Sequence, residues 1–529
     1  MAEVHDLSSM RSQVEARRNE EMELFGGGPP SGGGEGVSSA FVQECAGLED
    51  LGDGLLYCAL NTGRYVFNKS GDNWMRWVGH HWELDLLDMA IADVELVADR
   101  YLMEADALGE KITKATKKGN KDLEKHLRKS QDKILAKARR LRQDQGRNAC
   151  IKFSKTNNTN ALAIKGDEID TQPLLLACAN GVVDLEKGTR RDGLPEDYLL
   201  RASPVDFVSL DEPCPEWEKT LLEIYDGDED LIAFLQRLFG YSIMGVSIEH
   251  VLPVFYGAGR NGKSLLFDVI KYVLGPLAGP VQPELLLDQG RARSSSGPSA
   301  DIMTLRGLRL AIASETDENR RFSTATVKRF TGGDPIVARA GYDRYETTWD
   351  PTHTLFLLTN NKPHASAEDY AFWQRVYLIN HPLSFVPSPS LPNERPVDRQ
   401  RGMKLKAEAS GILAWLVRGC LEYQRMGLQP PDVVREAVDE YRSDEDIIAD
   451  FLDENCRFHK HFEESASALY ERFCEWFLAA NLGRKPWSQK IFGGKLTKKG
   501  FESRKSGTKY WLGLKLKEKE REQGDFFHS

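Results

Sequence analysis

The chain has no apolar run of 18 or more residues and no signal peptide, so neither a membrane span nor secretion is expected. It is poor in cysteine, with eight in 529 residues. Cys45, Cys58, Cys150, Cys178, Cys214, Cys420, Cys456 and Cys474 are scattered and form no C-x-x-C pair. That pattern argues against a zinc site and for buried thiols in a reducing cytoplasm. The chain also lacks net positive charge: 70 Lys and Arg against 80 Asp and Glu leave −10. The balance hides two basic segments, Lys111 to Arg142 and Arg484 to Arg521, and an acidic protein still binds nucleic acid through local basic surfaces. The first segment reads better as solvated helix faces.

What is present centres on Val251 to Ile270, VLPVFYGAGRNGKSLLFDVI. Leu252 to Tyr256 reads as a short buried strand. Gly257-Ala258-Gly259-Arg260-Asn261-Gly262-Lys263-Ser264 then fits G-x-x-x-x-G-K-[ST], and Leu265, Leu266, Val269 and Ile270 follow at helical spacing. Strand, glycine loop and helix occur in the order that a phosphate-binding loop requires. The glycines let the backbone N–H groups converge on one cavity, and the helix dipole adds positive potential there. In such a loop Lys263 reaches the β/γ-phosphates of ATP, and the Ser264 hydroxyl ligates Mg²⁺.

Further on, Leu308 to Ala313 reads as an apolar strand that runs into Ser314-Glu315-Thr316-Asp317-Glu318. Acids past a strand's C-terminal end suit a nucleotide site: one holds Mg²⁺ through water and one polarises the attacking water. Ser323 to Phe330 reads as a helix, and Val337 to Trp349 as a hairpin turning near Gly341 to Arg344. Thr354 to Asn360 is another buried strand, ending on an amide able to bond both the lytic water and the γ-phosphate. Arg375 follows fifteen residues later, either as a surface ion pair or as a clamp for the transition state of a neighbouring subunit.

These stretches resemble the superfamily III helicases, and most closely the primase-helicases of satellite phages, plasmids and poxviruses. The resemblance rests on GAGRNGKS (257–264), ASETDEN (313–319), VKRFTGGDPIVAR (327–339), LLTNN (357–361) and FWQRVYLI (372–379). Upstream, LACANGVVDLEKG (176–188) and FLQRLFGYSIMG (234–245) are similar to that group's region before the helicase, and EYRSDEDIIADFL (440–452) to its junction with the tail. The likeness covers about residues 60–515. It implies a hexameric AAA+-type ring that moves 3′-to-5′ along single-stranded DNA. Lys263 and Ser264 would bind ATP and Mg²⁺, Glu315 with Asp317 would be the acidic pair, Asn360 the sensor and Arg375 the finger. The hairpin would follow DNA phosphates through Arg339, Tyr342 and Arg344. The chain departs from the family pattern twice: Thr316 separates the two acids, and Asp343 occupies a tip where a base is usual. Residues 38–210 offer no pair of strand-borne catalytic acids, so a helicase working with a separate primase or polymerase is expected.

The remaining organisation is read as follows. Residues 1–37 are a tail with a Gly/Pro linker (26–36), and 38–211 an α+β domain. That domain is expected to hold small hairpins around Trp74, Trp77 and Trp82, helices from Leu84, and a strand pair turning at Asn180-Gly181. Residues 212–246 form a helical collar, with Pro215 opening one helix and Asp228 capping the next. Residues 247–385 are the ATPase core and 386–445 a helical segment. Residues 446–521 read as a winged helix with a capping box at Ser443 and Asp446, and 522–529 as a tail. In it a helix from Ile447, another through Leu469 to Phe477 and a third at Gln489 to Leu496 precede strands at 501–504 and 509–514. Lys490, Lys495, Lys498, Lys499, Arg504, Lys505 and Lys509 would line its DNA side, on single-stranded or forked DNA. The fold class is therefore α/β and multidomain. Two functions stay open: an ATP-driven, origin-opening replicative DNA helicase of a mobile element, and an ATP-switched DNA-binding initiator that loads another helicase. The expected location is the host cytoplasm or a viral replication site.

Overall fold

The computed structural model describes residues 37–288, 300–315, 320–339, 346–480, 485–506 and 508–517. The first unit holds α1 (Ser39–Gly47), α2 (Glu49–Asn61), β1 (Tyr65–Asn68), β2 (Asn73–Trp77), β3 (Trp82–Leu84) and α3 (Met89–Ala92). It continues through α4 (Val94–Lys117), α5 (Lys121–Leu141), α6 (Asp144–Ser154) and β4 (Ala163–Ile164). The basic stretch 111–142 is thus two helices, broken where Asn120 caps α5. Ile112, Ile134, Ala138 and Leu141 face the core while most of its charges face solvent. Lys137 is the exception: it is buried, and its ammonium bonds the buried Asp53 at 2.7 Å. The Tyr101 hydroxyl donates to the same carboxylate at 2.8 Å. The tryptophans pack as expected, in the sheet β3-β2-β1-β4.

A second sheet, β7-β6-β5-β8, follows from β5 (Leu175–Cys178), β6 (Gly181–Asp184), β7 (Thr189–Arg191) and β8 (Ala202–Ser203). The β5–β6 turn runs through Ala179 and Asn180, with Gly181 already paired to Cys178. Then come α7 (Pro215–Ile224) and α8 (Glu229–Ser242), opened by Pro215 and capped by Asp228 as the residues foretell.

The central unit holds β9 (Leu252–Tyr256), α9 (Lys263–Leu274), β10 (Ala278–Val281), α10 (Ala300–Met303), β11 (Leu310–Glu315) and α11 (Thr324–Phe330). It goes on with β12 (Ile336–Ala338), β13 (Thr347–Trp349), β14 (Thr354–Thr359), α12 (Tyr370–Trp373) and β15 (Val376–Asn380). Strands β10-β11-β14-β9-β15 form one all-parallel sheet, with β14 inserted between the glycine-loop strand and the acid strand. Its apolar strands are buried on both faces, as parallel sheets require. β12 and β13 pair antiparallel, and the expected turn at 341–344 lies outside the described residues.

After β16 (Ser384–Val386) and β17 (Glu394–Pro396), helices α13 (Arg401–Ala407), α14 (Ala409–Met426) and α15 (Asp432–Asp444) return to the core. Helix α14 crosses α8 backbone to backbone. A Cβ on Gly240 would lie 2.1 Å from the Cys420 nitrogen, and one on Gly419 2.1 Å from the Gln236 carbonyl oxygen. Segments whose contacting residues, Gly240 with Cys420 and Gln236 with Gly419, are 180 and 183 positions apart therefore make one helical layer. Phe239 of α8 stacks on Phe356 of β14 (5.4 Å between ring centres) and joins that layer to the sheet.

The C-terminal unit runs α16 (Ile447–Asn455), β18 (Cys456–Ser465), α17 (Ala466–Ala479), α18 (Gln489–Lys498), β19 (Ser503–Ser506) and β20 (Thr508–Leu516). The three helices and the final hairpin stand where the pattern puts them. The strand β18 was not foreseen: it is a largely exposed edge strand, CRFHKHFEES, whose polar residues carry no apolar alternation. The expected capping box also changes. Helix α15 runs through Ser443, so Asp446 caps α16 instead, accepting from the Ala449 N–H at 3.1 Å.

Candidate functional site

Three parallel strands end side by side, and their register sets the site. Tyr256 pairs with Thr359, and Thr359 with Glu315. The glycine loop, Asn360 and Glu315 thus leave the sheet at one edge, within two strand spacings, or about 10 Å. This is the carboxyl edge, where α/β sheets bind ligands.

The loop itself is closely determined. Gly257 and Gly262 have φ of +145° and +85°, and a Cβ at either would collide, with the His381 carbonyl oxygen at 2.6 Å or with Ile224 at 2.8 Å. Helix α9 begins at Lys263 directly after Gly262, so its first-turn N–H groups open into the loop. Lys263 is 6% exposed, and burial pushes its ammonium down to about 8. The ammonium donates to the Gly257 carbonyl and, at 3.2 Å, to Asn360 Oδ1. Asn261 Oδ1 accepts the Lys263 N–H at 3.3 Å, while the buried Asn261 Nδ2 has no partner. Ala258, Gly259, Arg260 and Ser264 are exposed at the mouth. Converging N–H groups, a desolvated ammonium and an orphaned amide donor form a site for a phosphate chain. The Ser264 hydroxyl, in the first turn of α9, is an oxygen of the kind that a hard cation takes.

The loop has a back support that the sequence patterns did not point to. Segment 381–385 runs along its outer side. The His381 N–H donates to the Tyr256 carbonyl at 2.8 Å, and the Phe385 N–H to the Arg260 carbonyl at 2.7 Å. The His381 ring lies 3.1 Å from the Asn261 carbonyl through Nδ1 and 3.1 Å from the Tyr225 hydroxyl through Nε2. A lone histidine after a strand has no spacing signature. Only the pairing of β15 with β9 in the folded sheet brings it to the loop.

The other predicted residues lie as follows. Asp317 is outside the described residues, as are Tyr342 and Arg344, and of Glu315 only the strand position is described. Arg339 ends β12. Arg375 precedes β15, whose first residue, Val376, pairs with Leu252 at the start of β9. The Arg375 backbone therefore belongs to the opposite edge of the sheet, one strand length or about 17 Å from its own phosphate loop. It donates to the Ala371 carbonyl, and its Nε is buried without a partner.

In the C-terminal unit, Lys495 bonds Glu368 of the central unit at 3.0 Å and lies 4.5 Å from the Trp487 ring centre. Lys499 pairs with the cap Asp446, and Arg504 with Glu463. Lys490 and Lys509 are exposed, Lys509 lying 4.3 Å from the Trp511 ring centre. The side chains of Lys498 and Lys505 are outside the description. Among the described residues no helix is long and apolar enough to cross a membrane, and no cluster of His, Cys, Asp and Glu is arranged to hold a metal.

Residues 56–226 match the family model described as "D5 N terminal like". The chain is 28% identical over 332 residues to "Putative helicase L207/L206" of Acanthamoeba polyphaga mimivirus, covering 60% of this chain and 34% of that protein. It is 26% identical over 383 residues to "Putative helicase 022R" of Frog virus 3, covering 59% of this chain and 39% of that one. The chain thus spans little more than a third of the length of these relatives. Among solved structures, the apo NrS-1 C-terminal region (305–718) aligns at 13% identity and a TM-score of 0.37, over 68% of this chain and 87% of that one. The chain is a relative of these viral proteins, and a D5 N-terminal-like segment precedes its glycine-loop core.

Proposed function

We propose that the chain is an ATP-hydrolysing DNA helicase of the superfamily III type, with an AAA+-type core, that works as a ring. ATP sits at the carboxyl edge of the parallel sheet. Lys263 and the loop N–H groups hold its phosphates, and Ser264 with Glu315 and Asp317 would hold Mg²⁺, which when bound would supply charge neutralisation at the phosphates. Asn360, bonded to the Lys263 ammonium, senses the γ-phosphate.

The observation that carries this reading is the placement of Arg375 at the edge opposite its own loop. An arginine whose backbone lies about 17 Å away, with its guanidinium bonded to the Ala371 carbonyl, does not reach its own phosphates. In a ring it faces the next subunit's ATP, as an arginine finger supplied in trans. A six-membered ring follows the family pattern, as do movement 3′-to-5′ on single-stranded DNA and opening of an origin. The helices around α8 and α14 form the collar. The C-terminal helix–strand–helix–helix–hairpin unit is a winged helix that offers Lys490 and Lys509 to DNA. The primase or polymerase activity comes from a separate partner.

The test is strand displacement on a forked DNA with a 3′ tail. ATP-dependent release that is lost in Lys263→Ala supports the reading. ATP hydrolysis with no displaced strand favours the initiator or loader that the same motifs allow.

A further inference from the structure

A phosphate loop accepts an anion only while its carbonyls point away and its N–H groups point in. In this chain two successive loop carbonyls are held outward by side-chain and backbone donors from segment 381–385. Phe385 donates to the Arg260 carbonyl at 2.7 Å, and the His381 ring bonds the Asn261 carbonyl at 3.1 Å. A carbonyl only accepts, so His381 Nδ1 carries the proton. Nε2 is then the acceptor for the Tyr225 hydroxyl at 3.1 Å. Tyr225 directly follows α7, outside the central sheet, and both side chains are buried. Desolvation keeps the imidazole neutral, its pKa pushed down to about 3, so the tautomer persists at neutral pH. Ile224, the last residue of α7, fills the space that a Cβ on Gly262 would need.

We propose that His381, oriented by the Tyr225 hydroxyl, is a positioning residue that holds the 257–263 loop in its phosphate-accepting shape, so that the helices preceding the core set nucleotide affinity. The inference rests on the reading of this loop as the ATP site. The tyrosine fixes the histidine's tautomer, the histidine retracts the Asn261 carbonyl, and the Asn261 side chain stays bonded to the Lys263 N–H at the start of α9. Neither residue touches ATP, so their effect falls on binding rather than on the chemical step.

The test compares full-length wild type with Tyr225→Phe, His381→Ala and His381→Gln. Affinity for ATP and ADP is measured by calorimetry, kcat and KM by ATPase assay, and folding by thermal melting. Tyr225→Phe removes one oxygen and keeps the packing. It is expected to melt within about 2 °C of wild type, to raise the ATP and ADP Kd and KM roughly fivefold to tenfold, and to keep kcat within about twofold. His381→Ala is expected to weaken binding further, and His381→Gln, which restores a donor toward Asn261, to recover part of the loss. Should His381→Ala fail to fold, Tyr225→Phe decides alone. Wild-type Kd and KM in a folded Tyr225→Phe protein overturn the proposal, and so does a fall in kcat without a change in Kd. Failure of the wild type to bind ATP would instead overturn the assignment of the loop.

Discussion

The two edges of the central sheet are built differently. At the carboxyl edge the phosphate loop is finished before any ligand arrives. Lys263 is buried and held by two oxygens, two loop carbonyls are tied outward, and α7 packs behind Gly262. At the amino edge Arg375 is held by one main-chain carbonyl and keeps a buried Nε without a partner. A preorganised site binds without rearrangement, whereas an under-satisfied guanidinium gains most from an incoming anion. On the proposed reading, the binding half of the chemistry is complete in one chain, and the half that stabilises transition-state charge is left for assembly to complete.

Breaking either edge separates binding from turnover, and the largest effects come first. Lys263→Ala is expected to abolish ATP binding and hydrolysis. Arg375→Ala is expected to leave the ATP Kd within about twofold while turnover on single-stranded DNA falls roughly 10³-fold or more. Steady-state ATPase assays and equilibrium titration, run on the same preparations, distinguish the two. Asn360→Ala removes one partner of the Lys263 ammonium and the amide aimed at the γ-phosphate, so kcat should fall about 10²-fold with little change in ADP affinity.

A milder perturbation is pH. Burial pushes the Lys263 ammonium down to about 8 because it disfavours the charge. The triphosphate needs the charged form, so binding above that pH must take up a proton. ATP affinity should therefore be flat below about pH 8 and fall by up to roughly tenfold per unit above it. A fluorescent ATP analogue titrated from about pH 7 to about pH 9.5 reads this directly. An affinity that rises with pH would contradict the burial of Lys263.

The smallest effects sharpen the contrast in the C-terminal unit. Lys490 is exposed, while Lys499 is held by Asp446. Lys490→Ala should flatten the salt dependence of DNA binding by about 0.7 to 0.9 log units per log of salt, and Lys499→Ala should not. Fluorescence anisotropy at several salt concentrations checks both.

How much of this was legible beforehand follows from range in sequence. The glycine loop, its strand and its helix are contiguous, and local patterning shows all three. The strands ending at Glu315 and Asn360 are apolar runs closed by a polar residue, and they too are readable. What sequence does not display is which strands become neighbours. The insertion of β14 between β9 and β11, which brings Asn360 onto Lys263, is a topological fact. The same holds for α14 against α8, where Gly240 and Gly419 meet although each alone reads as an ordinary helical glycine. His381 and Tyr225 are single polar residues 156 positions apart, and only their burial against one another gives them a role. Charge partners are likewise invisible in the sequence. Lys495, Lys499 and Arg504 read as a DNA-facing row, yet each ends on an acid of this same chain.

The most direct measurement mixes two inactive proteins. Lys263→Ala retains Arg375, and Arg375→Ala retains the loop. In an equal mixture of reassembled rings, roughly a quarter of the interfaces join an intact loop to an intact arginine. The account predicts single-stranded-DNA-stimulated ATP hydrolysis well above the sum of the separate proteins. A mixture that stays at that sum after subunit exchange has been demonstrated, or an Arg375→Ala protein that hydrolyses ATP at the wild-type rate, would contradict it.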